Sequence, residues 1–201
     1  MVSGCTELAK AVVVDLDGTL IRQNSFRLYV RAAMHSRRHA AIAWATLLRK
    51  AGLLSHNAYR ERCMRLAAIS WPIITRMGDA AVYSKAVIAF IEQKRAEGFR
   101  IILATAALQG YIRAFWNGEN VATQHEAAGI TFDCRGEAKL RAVCERLGGR
   151  LPQYILTDSP ADYPLMHAVA AAGGTPILVN PTRQSLRFYN KMMRGINLLR
   201  D

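Results

Sequence analysis

The run Ala11-Val12-Val13-Val14, followed at once by Asp15-Leu16-Asp17-Gly18-Thr19-Leu20, constrains this chain more than any other stretch. Four small or β-branched apolar residues with no polar alternation predict a strand buried on both faces. The polar, glycine-containing turn that follows predicts where the strand stops, so Asp15 and Asp17 stand at its carboxyl end. In an open parallel sheet that edge is where ligands bind. Two carboxylates this close repel each other and lose hydration, a cost that is offset where a cation or a reaction uses them.

The pattern returns after position 79. Val82 to Ile91 predicts a helix closed at Gly98, and Phe99 to Ala104 a second buried strand ending at Thr105. Gln109 to Trp116 predicts a helix, and Val121–His125 with Gly129–Phe132 a short hairpin. A helix from Gly136 to Leu147 precedes a third strand, Gln153 to Thr157, which ends at Asp158. A helix from Asp162 to Ala172 then leads to the last core strand, Thr175 to Val179, and a basic tail with Arg183, Arg187, Lys191, Arg194 and Arg200 reads as a solvated terminal helix. Alternation of this kind predicts an α/β fold, a Rossmann-like doubly wound parallel sheet with helices on both faces.

Residues 22–79 break the alternation. Asn24-Ser25 offers an N-cap before Phe26, Tyr29, Val30 and Ala33; His39 to Lys50 is amphipathic; Ser55 caps a third helix and Trp71-Pro72 opens a fourth. The expected organisation is an α/β core of residues 1–21 and 80–201 with an all-helical cap, 22–79, inserted after the first strand. Charge is concentrated in that insert. Positions 21–65 hold ten cations against the single acid Glu61, so nine of the chain's twelve net positive charges lie there. Three readings stay open for it: a membrane-surface element, a solvated face, or a lid that attracts a phosphorylated substrate. Cys5, Cys63, Cys134 and Cys144 lack C-x-x-C or zinc-site spacing, which predicts reduced thiols in a cytoplasmic protein, peripheral to the membrane if the basic insert meets acidic lipid. No apolar run is long enough for a transmembrane helix.

The predicted strand ends bring Asp15, Asp17, Thr105, Asp158 and the nearby Asp162 toward one sheet edge, with Lys139 early in an intervening helix. Oxygen-rich acids suit Mg²⁺, which takes carboxylates together with waters and phosphate oxygens. A lysine and a threonine hydroxyl suit the remaining oxygens of a phosphoryl group.

In these residues the chain resembles the haloacid dehalogenase superfamily, and within it the phosphoserine-phosphatase-like hydrolases. Four motifs carry the resemblance: Asp15 to Leu20, Leu103-Ala104-Thr105, Gly136-Glu137-Ala138-Lys139, and Thr157-Asp158-Ser159-Pro160-Ala161-Asp162. The resemblance implies a phosphoaspartyl mechanism with Asp15 as nucleophile and Asp17 as proton carrier. It implies Mg²⁺ held by the Asp15 carboxylate, the Asp17 backbone carbonyl and Asp158, with Asp162 anchoring the site directly or through water. Thr105 and Lys139 would hold phosphoryl oxygens. An acid at position 17 is typical of the superfamily's phosphatases and phosphomutases and so implies a phosphate ester as substrate.

Two departures narrow the substrate. Phosphoserine phosphatases usually carry an acid soon after the first motif, and Ile21-Arg22-Gln23-Asn24-Ser25 has none. Thr105-Ala106-Ala107 also replaces their Ser-Gly-Gly pattern. Both argue against phosphoserine and for a substrate with added negative charge or a sugar-like body. The expected activity is a Mg²⁺-dependent phosphatase acting on a small or lipid-linked phosphomonoester. The alternatives are a phosphotransferase or phosphomutase of the same fold, or a basic membrane- or nucleic-acid-binding module. Nucleic acid is the least favoured partner, since every catalytic position is filled.

Overall fold

The computed structural model describes residues 5–126, 129–193 and 195–201. These form a seven-stranded sheet in the order β4-β3-β2-β1-β5-β6-β7. The strands are β1 (Leu8–Val14), β2 (Arg100–Leu108), β3 (Asn120–Glu126), β4 (Gly129–Phe132), β5 (Leu151–Thr157), β6 (Thr175–Val179) and β7 (Asn197–Leu199). All neighbours run parallel except the β3–β4 hairpin at one edge. The expected α/β class and doubly wound sheet are therefore present.

β1 is central because both of its faces are covered. Val12 and Val14 point into one apolar cluster and Ala11 and Val13 into the other, as period-two geometry requires. The second cluster is closed by α6 (Gly136–Arg146), α7 (Tyr163–Ala171) and α8 (Arg183–Met192). The first is closed by α5 (Lys85–Ala96) and by four consecutive helices after β1: α1 (Ser25–Ala33), α2 (His39–Lys50), α3 (His56–Leu66) and α4 (Trp71–Asp79). Tyr29, Ile42, Cys63 and Met77, one from each of those four helices, are fully buried in it.

Register decides what meets at the carboxyl edge. Val14 is level with Leu103 of β2 and Leu156 of β5, and the Asp15 amide donates to the Leu156 carbonyl at 2.9 Å. Asp15 thus lies one step beyond β1 in line with the Ala104-Thr105 and Thr157-Asp158 pairs. Chain order reverses here, β2 being added on one side of β1 and β5 on the other, which leaves a crevice above the sheet.

Three local expectations are corrected. β2 does not end at Thr105 but continues to Leu108, with its pairing to β3 shifting between those residues. Gln109–Ala114 is a 3₁₀ helix, not an α-helix reaching Trp116. The tail is more than a solvated helix: after α8 the chain adds β7 beside β6, so Thr175–Val179 is not the last strand. That strand is held in place by Asp201, whose carboxylate accepts from Arg22, Ser84, the Ala86 amide and Asn180. Partners from three distant segments leave no trace in local sequence. Arg194 of the tail lies outside the described residues.

Candidate active site

The crevice holds a cavity of about 430 Å³ lined by Asp15, Asp17, Thr105, Lys139, Asp158 and Asp162, with Arg135 and Ser185 at its margin. All six residues singled out in the sequence meet there, from four segments of the chain. The turn after β1 supplies the two acids of the first motif, β2 supplies Thr105, the first turns of α6 supply Lys139, and the turn after β5 supplies Asp158 and Asp162.

Lys139 is the electrostatic centre. It is 2% exposed, and its Nζ donates to Asp15 Oδ1 at 2.9 Å and to Asp162 Oδ2 at 2.7 Å. Burial works against its charge, but Asp15 and Asp162 outweigh that and hold the ammonium protonated, its pKa raised. Two of its three N–H groups are used by these carboxylates. Asp162 Oδ2 also accepts from Thr157 Oγ1 at 2.7 Å, so that oxygen is committed to fixing Lys139. Burial raises the Asp15 carboxyl above the ordinary range, and Asp162 and Asp158 push it further against the pull of Lys139. Four carboxylates against Lys139 and the marginal Arg135 leave the cavity short of positive charge.

Asp17 is oriented differently. Its Oδ2 accepts from Asn24 Nδ2 at 2.9 Å and its Oδ1 from the Ser25 amide at 2.8 Å, turning the side chain toward the start of α1. Burial raises its pKa as well, only partly offset by the Ser25 hydrogen bond. Asp158 is drawn against the backbone of Gly18, which has φ +75°; a Cβ at that position would overlap the Asp158 carboxylate. Its pKa is raised to about 6 by burial and then by Asp162. No described cation pairs with it.

The donor set fits a hard divalent cation, with a restriction. Among the described residues no three His, Cys, Asp or Glu side chains form a metal-holding group. Asp17 spends both carboxylate oxygens on local donors and Asp162 spends its Oδ2. That leaves Asp15, Asp158, Oδ1 of Asp162 and the Asp17 carbonyl, to which no described backbone group donates. Carboxylates and a carbonyl, all oxygen, suit Mg²⁺, which keeps several waters.

Thr105 is 1% exposed, and its Oγ1 accepts from the Ala107 amide at 3.1 Å, which leaves its hydroxyl hydrogen free. Arg60 is a residue the sequence reading counted only as charge. It is 2% exposed, and its Nη2 donates to the Ala106 carbonyl at 2.9 Å while Nε and Nη1 have no described partner. Thr19 Oγ1, Ser25 Oγ and Tyr111 OH are also buried, with no partner among the described residues. Burial lowers the Arg60 pKa. Its position one turn before Cys63, on the buried face of α3, is the signal that could have found it.

Residues 12–167 match the haloacid dehalogenase-like hydrolase family. The chain belongs to that family. No curated protein matches the sequence. Among solved structures, a protein of unknown function from Bordetella pertussis Tohama I is similar at 21% identity and TM-score 0.70, covering 94% of this chain and 96% of that one. A phosphoserine phosphohydrolase-like protein from Francisella tularensis is 16% identical with TM-score 0.57, covering 94% of each chain. A substrate-bound phosphoserine phosphatase is 11% identical with TM-score 0.59, covering 96% of this chain and 94% of that one. At these identities the likeness is one of fold.

Proposed function

We propose that this haloacid dehalogenase-like hydrolase is a Mg²⁺-dependent phosphomonoesterase that works through an aspartyl-phosphate on Asp15. The observation that carries the reading is the buried grip of Lys139 on Asp15 in a cavity where Asp17 and Asp158 form no ion pair with a described cation. Asp15, Asp158 and the Asp17 carbonyl would hold the metal. When bound, it supplies positive charge against the phosphoryl oxygens and lets Asp15 and Asp158 ionise together.

In the first step an Asp15 carboxylate oxygen bonds to phosphorus as the ester P–O bond breaks, and Asp17 protonates the departing alkoxide oxygen. Asp17 suits this task because burial favours its protonated form, and Asn24 and Ser25 hold it in place. In the second step Asp17 takes a proton from a water that attacks phosphorus, and the Asp15 O–P bond breaks to release phosphate. The remaining Lys139 N–H and the Thr105 hydroxyl would hold phosphoryl oxygens through both steps. Residues 22–79 would act as the cap, closing over the cavity to exclude bulk water.

Phosphate release from an aryl phosphate with Mg²⁺, and its loss in Asp15→Asn, tests this directly. An alkali-labile phosphoryl group trapped on the wild type and missing from the variant would support the intermediate. No release by the wild type, or full turnover by Asp15→Asn, would end the hydrolase reading. Transfer of that group to added alcohols in preference to water would favour the phosphotransferase.

The choice between a free and a lipid-linked substrate has one observation behind it. Trp44 and Leu47 are 55% and 54% exposed on α2, a helix flanked by Arg37, Arg38, Arg49 and Lys50. That combination supports work at an acidic bilayer surface. Co-sedimentation with phosphatidylglycerol vesicles, lost in Trp44→Ala/Leu47→Ala, is the expected result; no binding at low salt removes the membrane reading.

A further inference from the structure

A second cavity is larger than the acid-lined one. It is a cleft of about 600 Å³ between α1, α2 and α3, within the size range of small-molecule sites. Arg27, Arg31, Arg49 and Lys50 line it, and no carboxylate does. None of the four forms an ion pair with a described acid. Its floor is apolar and aromatic, with Phe26 and Tyr59 packed edge to face at 5.6 Å.

Four cations facing one concavity repel each other, and a solvated face would spread them apart. His56 lines the same cleft: burial lowers its pKa, and the nearby Arg60 and Arg135 and the cleft's own Arg49 lower it further. The imidazole therefore adds no charge near neutrality and offers a hydrogen-bonding edge.

The cleft is tied to the reacting acids by contacts between the residues that line the two cavities. Asn24 lines the cleft and donates to Asp17 Oδ2. The Phe26 ring on its floor lies under the Arg60 guanidinium at 6.0 Å, and Arg60 in turn donates to Ala106, which lines the acid cavity. Asn24 by one route, and Phe26 with Arg60 by another, thus connect the cleft to the acid cavity.

We infer that this cleft receives the far end of the substrate, and that the substrate is a phosphomonoester carrying a second phosphate-class anion on an apolar or flat body. This rests on the phosphomonoesterase reading and adds the substrate class to it. A single carboxylate would leave most of the charge in the cleft unbalanced, whereas a phosphate or diphosphate is matched by several arginines and gains bidentate contacts from them.

The test compares octanediol bisphosphate with octyl phosphate, and propanediol bisphosphate with propyl phosphate, by kcat/KM at low salt. The expected result is a preference of about ten-fold or more for the bisphosphate within the pair that spans the two cavities. That ratio should collapse toward one in Arg31→Ala/Arg49→Ala, whose two side chains are exposed, with circular dichroism confirming the fold. A ratio near one in the wild type, or a ratio that the double variant leaves in place, overturns the inference while the hydrolase reading stands. If no compound is hydrolysed, the hydrolase reading fails, and the cleft is judged by equilibrium binding of octanediol bisphosphate. Binding about ten-fold weaker in the double variant sustains the cleft as an anion site; equal binding, or none to the wild type, overturns it.

Discussion

Lys139 and Gly18 show how single residues set this site. Lys139 is the one described cation that reaches both Asp15 and Asp162, so replacing it with Met leaves two buried carboxylates facing each other. Breaking a buried pair in this way costs about 3–5 kcal/mol where the acids stay charged. Lys139→Met is expected to lower turnover by at least about 10²-fold. It should also lower the unfolding temperature at neutral pH, with recovery in mild acid, where the carboxylates can take up protons. Thermal unfolding at the two pH values checks the second part. Gly18 acts by absence: its φ of +75° and missing side chain give the Asp158 carboxylate its place. Gly18→Ala should move that carboxylate and raise the Mg²⁺ concentration needed for half-maximal phosphate release. Unchanged metal dependence would detach Asp158 from the metal. The acids and Lys139 are legible in sequence because their types and spacing are chemically specific. Arg60 is not, since one arginine among ten cations reveals its burial only once α3 is packed.

At the scale of the element, the start of α1 carries two tasks in one residue. Asn24 Oδ1 accepts from the Arg27 amide at 3.1 Å, closing the helix N-terminus, while its Nδ2 holds Asp17. Asn24→Ala should cost about 1 kcal/mol through the lost cap and should also lower turnover, because Asp17 loses a partner. Asn24→Asp keeps a good cap but sets a carboxylate against Asp17, so stability should be largely retained while turnover falls. Equal turnover in wild type and Asn24→Asp would show that the Asn24 amide does not orient Asp17. The cap was readable from Asn24-Ser25 ahead of an apolar periodicity. The second task was not, because it needs the turn after β1 folded back onto α1. Thr105 shows the same limit in a strand: the sequence placed it at the end of β2, but the chain remains extended to Leu108 because β3 and the following 3₁₀ helix support it.

Across the whole molecule, the imbalance of charge in the acid cavity becomes a stability statement. Asp158 is raised to about 6 in the folded protein, so between its unfolded value near 3.8 and about 6 the native state holds a proton that the unfolded chain has lost. The metal-free protein should therefore lose stability as pH rises through that window, and Asp15, shifted in the same direction, extends the loss upward. Mg²⁺ should restore stability more at pH near 7.5 than at pH near 5, because only ionised carboxylates hold it. Unfolding temperatures with and without chelator at both pH values check this; an equal metal-induced shift at each would refute it.

The sequence by itself determined the strand run of β1, the alternation that makes the sheet parallel, the helical character of residues 22–79 and the identity of the acids, threonine and lysine. These follow from local periodicity and from side-chain chemistry that few other contexts tolerate. Tertiary structure alone decided that Asp162 Oδ2 holds Lys139, that Asp17 turns toward α1, and that Arg60 is buried with two nitrogens lacking a described partner. It also decided that β7 completes the sheet through Asp201, and that four arginine and lysine side chains converge on one cleft. Each of these depends on groups far apart in the chain, whose meeting is set by packing and by competition for hydrogen bonds. In Asp15-Leu16-Asp17, the sequence supplied two carboxylates; the fold gave one to an ammonium and the other to a helix cap.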